Sequence, residues 1–355
     1  MPEDKNQLQD DINNFAKLVE TAKDLIQKKV PVFQRNTLLR GIGRDLGLVL
    51  NETAIFGVVG KARREIEGTF DGFVPDEKIK IPKTKWLWEH LISEGNVSLV
   101  VALPKVGKSS LIGAFLGAMS RGNSEYLDKQ ITSKAKPIYC LGTDQPMADW
   151  AEIFIPVGLM KRTAEDEVEL VHPLKRLWTM ERPITLTEES IEQIHNLAVE
   201  DPNSIFVLDA FASLISGLGL DENHVDAVEP IRMLCEALAG TGATIVLLHH
   251  ASGTNSNERA VKASRGTKAL PALASNIINL SWLLQDDKTD NRIAVTTQGR
   301  SSKPVDMVIE QTDRAVWENH GSSADIKEEL KLEKVESKLS DRQSLVLTHV
   351  NEWCK

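Results

Sequence analysis

Gly107, Lys108 and Ser109 follow one another in the stretch ALPKVGKSS, Ala102 to Ser110. These residue types at this spacing suit the binding of a phosphate chain. Such a loop wraps backbone N–H groups around a β-phosphate, brings an ammonium to the β and γ oxygens and offers a hydroxyl to Mg2+. Ala102, Pro104, Lys105, Val106 and Gly107 would form the cradle, Lys108 the ammonium, Ser109 the metal-binding hydroxyl and Ser110 the next helical position. Ala102 stands where such loops usually begin with glycine, and it needs only an allowed backbone conformation there. The apolar run VSLVVAL before the loop and the helical pattern SSLIGAFLGAMSRG after it are the context the chemistry demands.

Two carboxylates are candidates for the rest of the site. SIFVLDA delivers Asp209 to the carboxyl end of a buried strand, where ligands of open α/β sheets gather and an acid can hold magnesium through water. Asp144, in IYCLGTDQP, ends the next strand after the loop helix, a strand expected beside the one carrying the loop. It could act as general base on an attacking water or simply cap a helix. TIVLLHHAS ends a further strand in His249 and His250. That position favours a γ-phosphate sensor, although paired histidines are also ordinary core filling.

The elements that must position these residues can be read coarsely. Up to about Glu67 the apolar spacing is helical, which predicts an N-terminal helical module over residues 1–75. Short apolar β-branched runs then alternate with helical segments, among them VSLVVAL, KPIYCLGT, IPVGL, SIFVLDA, TIVLLHH, RIAVTTQ and VDMVIEQT. This pattern predicts an α/β core over residues 76–317, with a mostly parallel central sheet covered on both faces and an antiparallel late edge. Trp86 and Trp88 precede the core, placed either to stack on a base or to anchor the N-terminal helices. Residues 318–355 read as a charged linker and a helix capped at Asp341, similar to the first helix of a truncated winged-helix domain.

Composition sets wide bounds. A net charge of −9 argues against a protein that coats nucleic acid nonspecifically, yet it allows a local basic loop. The three cysteines, Cys140, Cys235 and Cys354, have no metal-ligand or disulfide spacing. The polar start MPEDKNQLQDD does not read as a signal peptide. No apolar run reaches the roughly 18 residues of a membrane span, so a cytoplasmic protein with no membrane partner is expected.

Taken in order, ALPKVGKSS, TDQP, FVLDA, LLHHAS and ASRGTKAL resemble the hexameric replicative helicases with a RecA-like P-loop core, particularly those of the plasmid RepA type. The resemblance covers Trp86 to about Gln311. It implies ATP and Mg2+ as cofactors and a homohexamer with ATP at subunit interfaces. It also implies translocation on single-stranded DNA in replication of a plasmid, phage or mobile element. Lys108 and Ser109 would hold phosphates and metal, Asp209 would be the second acidic motif, and His249 or His250 would couple the γ-phosphate to a DNA loop. That loop would be Ala251 to Lys268, where Arg259, Lys262, Arg265 and Lys268 face a single acid, Glu258.

The chain departs from the family pattern twice. Thr143-Asp144 stands where the family often has glutamate followed by aspartate, so the base is either shifted to Asp144 or absent. The apolar NIINL stands where the family has an arginine finger, and Arg300 with Lys303 in TTQGRSSKP reads either as a substitute acting on a neighbour's nucleotide or as basic surface residues. The N-terminal module stays open between a collar, a contact for a primase or primase-polymerase, and a docking element for the adjoining subunit. Two other readings keep the nucleotide site: a recombinase- or clock-like ATPase that assembles without unwinding, and an assembly module with weak hydrolysis.

Overall fold

The structure is a computed structural model that describes residues 3–28, 30, 32–67, 78, 83–220, 222, 225–251, 269–284, 289–300 and 302–336. These fall into two compact units, Met1–Lys83 with Leu186–Asn196, and Thr84–Thr185 with Leu197–Lys355.

In the first unit, α1 (Glu3–Gln27), α2 (Val32–Asp45) and α3 (Glu52–Glu67) enclose Leu18, Val19, Ala22, Leu39, Ile55, Val58 and Ala62. The helices bury one apolar stripe each, as amphipathic helices do. Lys61 lies over the Phe15 ring at 5.4 Å, joining α3 to α1. Asn36 donates to Glu188 within the same unit. Arg35 beside it is buried, and burial pulls its guanidinium below the ordinary value.

The second unit is built on a sheet of nine strands. In chain order they are β1 (Val97–Ala102), β2 (Ile138–Leu141), β3 (Leu174–Trp178), β4 (Ile205–Leu208), β5 (Thr244–His250), β6 (Asn276–Trp282), β7 (Ile293–Gly299), β8 (Asp306–Asp313) and β9 (Val316–Gly321). Their order across the sheet is β9-β8-β7-β6-β1-β5-β4-β2-β3. From β6 to β3 the strands are parallel, and β7, β8 and β9 continue as an antiparallel edge. This is the mostly parallel α/β architecture expected from the sequence. The central strands are apolar because both faces are covered: β2 and β4 are buried at every residue.

Helix α4 (Lys108–Ser120) follows β1 and is buried along nearly its whole length. Trp88 stacks on Phe115 of this helix with ring centroids 4.8 Å apart, so it packs the core of this unit. Gly117 lets the chain after α5 (Met147–Phe154) come close, since a Cβ there would stand 2.5 Å from Val157. Cys140 is fully buried in β2, and burial pushes its thiol up.

Three expectations change. The strand carrying Asp144 is not beside β1, because β5 and β4 lie between β1 and β2; sequence order sets the succession of strands and leaves their placement to the crossovers. IPVGL is the turn after α5, with Gly158 at a φ of 77°, and forms no strand. The sheet runs past Trp317 to Gly321, and α6 (Ser323–Glu336) follows directly. Its Ile326 packs with Leu283, Ala294 and Val308.

Candidate nucleotide site

The parallel strands β1, β5, β4 and β2 all end on the same side of the sheet, as their registers show: His250 is opposite Ala102, and Leu208 is opposite both Leu247 and Leu141. Lys108, Ser109, Asp144, Asp209 and His250 converge there.

Ala102 is the last residue of β1 and fully buried. A strand position is extended, so any residue adopts it, and the methyl group joins the core instead of crowding the loop. Its carbonyl accepts from the Ala251 amide at 2.8 Å. The chain then turns through two left-handed residues, Lys105 at φ 67° and Gly107 at φ 95°, an arrangement that turns successive N–H groups inward. Val106 between them is buried in the core and fastens the loop, while Pro104 and Lys105 are exposed. Gly107 gives α4 no side-chain cap, and no acid occupies its first turn. The first amides of α4 therefore face an incoming anion with the favourable end of the helix dipole.

Lys108 is 6% exposed. Its Nζ lies 3.4 Å from the Ala102 carbonyl, 3.5 Å from that of Leu103 and 3.3 Å from His250 Nδ1. Burial lowers the pKa of this ammonium, with Asp209 and Asp144 acting the other way. Ser109 Oγ donates to Asp209 Oδ2 at 2.5 Å. Gln145 Nε2 donates both to Ser109 Oγ at 2.9 Å and to Asp209 Oδ2 at 3.2 Å. Asp209 is 2% exposed, and burial raises its pKa against the Ser109 hydrogen bond and the Lys108 charge. Its amide donates to the Leu141 carbonyl at 3.0 Å, which fixes the end of β4 against β2.

Asp144 is about half exposed, and its Oδ2 lies 3.7 Å from His250 Nε2. The His250 imidazole holds its carboxyl below the ordinary aspartate range, opposed by partial burial. His250 thus stands between Lys108 on one ring nitrogen and Asp144 on the other. His249 points to the opposite face of β5, as alternation along a strand requires. It is 1% exposed and meets the Phe211 ring edge-on at 5.4 Å. Thr143 is buried and donates to Ser213 Oγ at 3.0 Å.

Ser109 Oγ and Asp209 Oδ2 are a hard oxygen pair of the kind Mg2+ takes from protein when phosphates and waters complete its shell. Among the described residues no group of three or more His, Cys, Asp or Glu could hold a metal ion, so a cation here would depend on the nucleotide's oxygens. The pair fits Mg2+ in that role.

Arg300 and Lys303 are elsewhere. β7 is antiparallel to β6 and sets Gly299 opposite Asn276, which is opposite Ser98 at the start of β1. Arg300 therefore sits at the far end of the sheet from Lys108, its Nη2 donating to the Ala272 carbonyl at 2.7 Å, and Lys303 is exposed in the next turn. Arg259, Lys262, Arg265 and Lys268 lie outside the described residues, as does Asp341.

Three site residues carried no signal in the sequence. Gln145 is one. Gln311 of β8 donates to Ser110 Oγ at 3.2 Å. Trp317 of β9 is buried against Gly107, where an added Cβ would come within 2.7 Å of its ring. All are far in sequence from the groups they touch, and only the fold joins them.

Residues 66–256, more than half of the chain, match the family described as AAA domain. The chain belongs to the AAA domain family. As a member it is a P-loop ATPase. No curated protein matches the chain. Among solved structures, this AAA domain protein is similar to a KaiC-like protein of the hyperthermophilic archaeon Pyrococcus horikoshii OT3, at 16% identity and a TM-score of 0.43, over 67% of this chain and 99% of that one. Among the described residues of the AAA domain protein no helix is long and apolar enough to cross a membrane.

Proposed function

We propose that the chain is a ring-forming, ATP-dependent DNA helicase that translocates on single-stranded DNA. The observation that carries this reading is His250. It touches Lys108 and lies beside Asp144 at the phosphate end of β5, and two residues later begins the segment 252–268 with its four cations. A change at the γ-phosphate can thus be passed to a basic segment suited to a phosphate backbone.

Lys108 binds the β and γ oxygens, and the α4 amides cradle the β-phosphate. Ser109 and Asp209 would hold Mg2+, which neutralises charge on the transferring group. Asp144, held ionised by His250, takes a proton as water attacks the γ-phosphorus. The bond from the γ-phosphorus to the bridging oxygen breaks, and ADP leaves with phosphate. Arg300 lies too far across the sheet to serve its own site, so it serves a neighbour's in a head-to-tail ring, a hexamer by the resemblance, where such heterologous contacts close on themselves.

A forked duplex with a labelled strand tests this. Strand release with ATP and none with a non-hydrolysable analogue is the expected result. Hydrolysis without release would favour a recombinase- or clock-like ATPase, and nucleotide-dependent assembly without turnover would favour an assembly module.

A further inference from the structure

We propose that Gln145 is a metal-responsive positioning residue. It holds the Ser109–Asp209 pair in the metal-free state and turns its carboxamide when Mg2+ arrives. The inference rests on the nucleotide-site reading above.

A serine hydroxyl has one hydrogen and two lone pairs. The Ser109 hydrogen goes to Asp209 Oδ2 at 2.5 Å, and one lone pair accepts from Gln145 Nε2 at 2.9 Å. The contact of the same Nε2 with Asp209 Oδ2 at 3.2 Å fixes which end of the amide faces inward, because a carboxylate only accepts. A cation bound by Ser109 takes the second lone pair of that oxygen, and the electropositive amide N–H end beside it repels the cation. The hydroxyl can keep its bond to Asp209 while Gln145 gives way.

Rotation of the terminal amide takes its N–H end away from Ser109 and relieves that repulsion. The backbone of Gln145 is held on both sides: its amide donates to the Gly142 carbonyl at 3.3 Å, and its carbonyl accepts from the Met180 amide at 2.9 Å. The movement is therefore confined to the side chain. Since Gln145 adjoins Asp144 in the chain, the turn happens next to the base.

The test is a titration of Mg2+ against a fluorescent ADP analogue bound to the full chain. Removing the electropositive N–H end that opposes the cation should make Mg2+ bind more easily. Gln145→Ala is expected to lower the Mg2+ midpoint about fivefold. Gln145→Glu cannot donate and sets a second carboxylate beside Asp209, so its midpoint should fall further than that of Gln145→Ala. A midpoint unchanged or raised in both variants overturns the proposal. So does weaker metal-free nucleotide binding with the midpoint in place, the mark of a merely structural role. If wild type binds no nucleotide, or Lys108→Ala binds it equally well, the nucleotide-site reading fails instead, and the inference falls with it.

Discussion

At the scale of the residue, two aspartates at neighbouring strand ends are pushed in opposite directions by their surroundings. Burial raises Asp209, while the His250 imidazole lowers the half-exposed Asp144. Groups separated in this way can take different roles, and in the proposed function Asp209 holds metal while Asp144 handles a proton. Because the folded value of Asp144 is depressed, its contribution to stability is present above the unfolded value of about 3.9 and lost as pH falls through the folded value. Asp209 has the reverse sign: its contribution is present below its unfolded value and lost as pH rises through its folded one. Replacing His250 with glutamine should return Asp144 toward its ordinary value and move the acid limb of the pH profile for ATP hydrolysis to higher pH. A limb that stays in place would show that His250 does not tune the base. Asp144 and Asp209 could be placed from the sequence because each follows its own apolar run, and Lys108 because it opens the helical pattern after the loop. Gln145 was not, since its partners lie 36 and 64 residues away in sequence.

At the scale of the element, the phosphate loop is braced from behind by the β8–β9 hairpin. Trp317 packs on Gly107, and Gln311 reaches Ser110. Gly107→Ala meets two obstacles: a left-handed φ of 95°, which costs about 1–2 kcal/mol for a residue with a side chain, and a Cβ 2.7 Å from the Trp317 ring. Nucleotide affinity should drop at least about tenfold, a factor worth roughly 1.4 kcal/mol, and unchanged binding in a nucleotide titration would contradict the bracing. The strand, loop and helix around Gly107 could be read locally, because an apolar run, a glycine and a helical pattern are contiguous. The edge strand β3 could not, since LKRLW buries only Leu174 fully and reads as polar. The position of β2 in the sheet was also hidden, because strand order depends on crossovers that leave no local trace.

At the scale of the whole molecule, the candidate groups lie at opposite ends of the sheet. Lys108 and its partners occupy the carboxyl ends of the parallel strands, and Arg300 the opposite end. The chain carries a net charge of −9, and the segment after β5 concentrates four cations, which the proposed function sets against a phosphate backbone. All of this depends on one claim, that ATP is hydrolysed at the site around Lys108. The most direct measurement is steady-state phosphate release at saturating Mg-ATP, with single-stranded DNA present, from wild type and from Lys108→Ala shown to be folded by circular dichroism. The account predicts release from wild type and a loss of about 100-fold or more in the variant, the scale of removing a charge aimed at the transition state. Equal rates in the two proteins would contradict it.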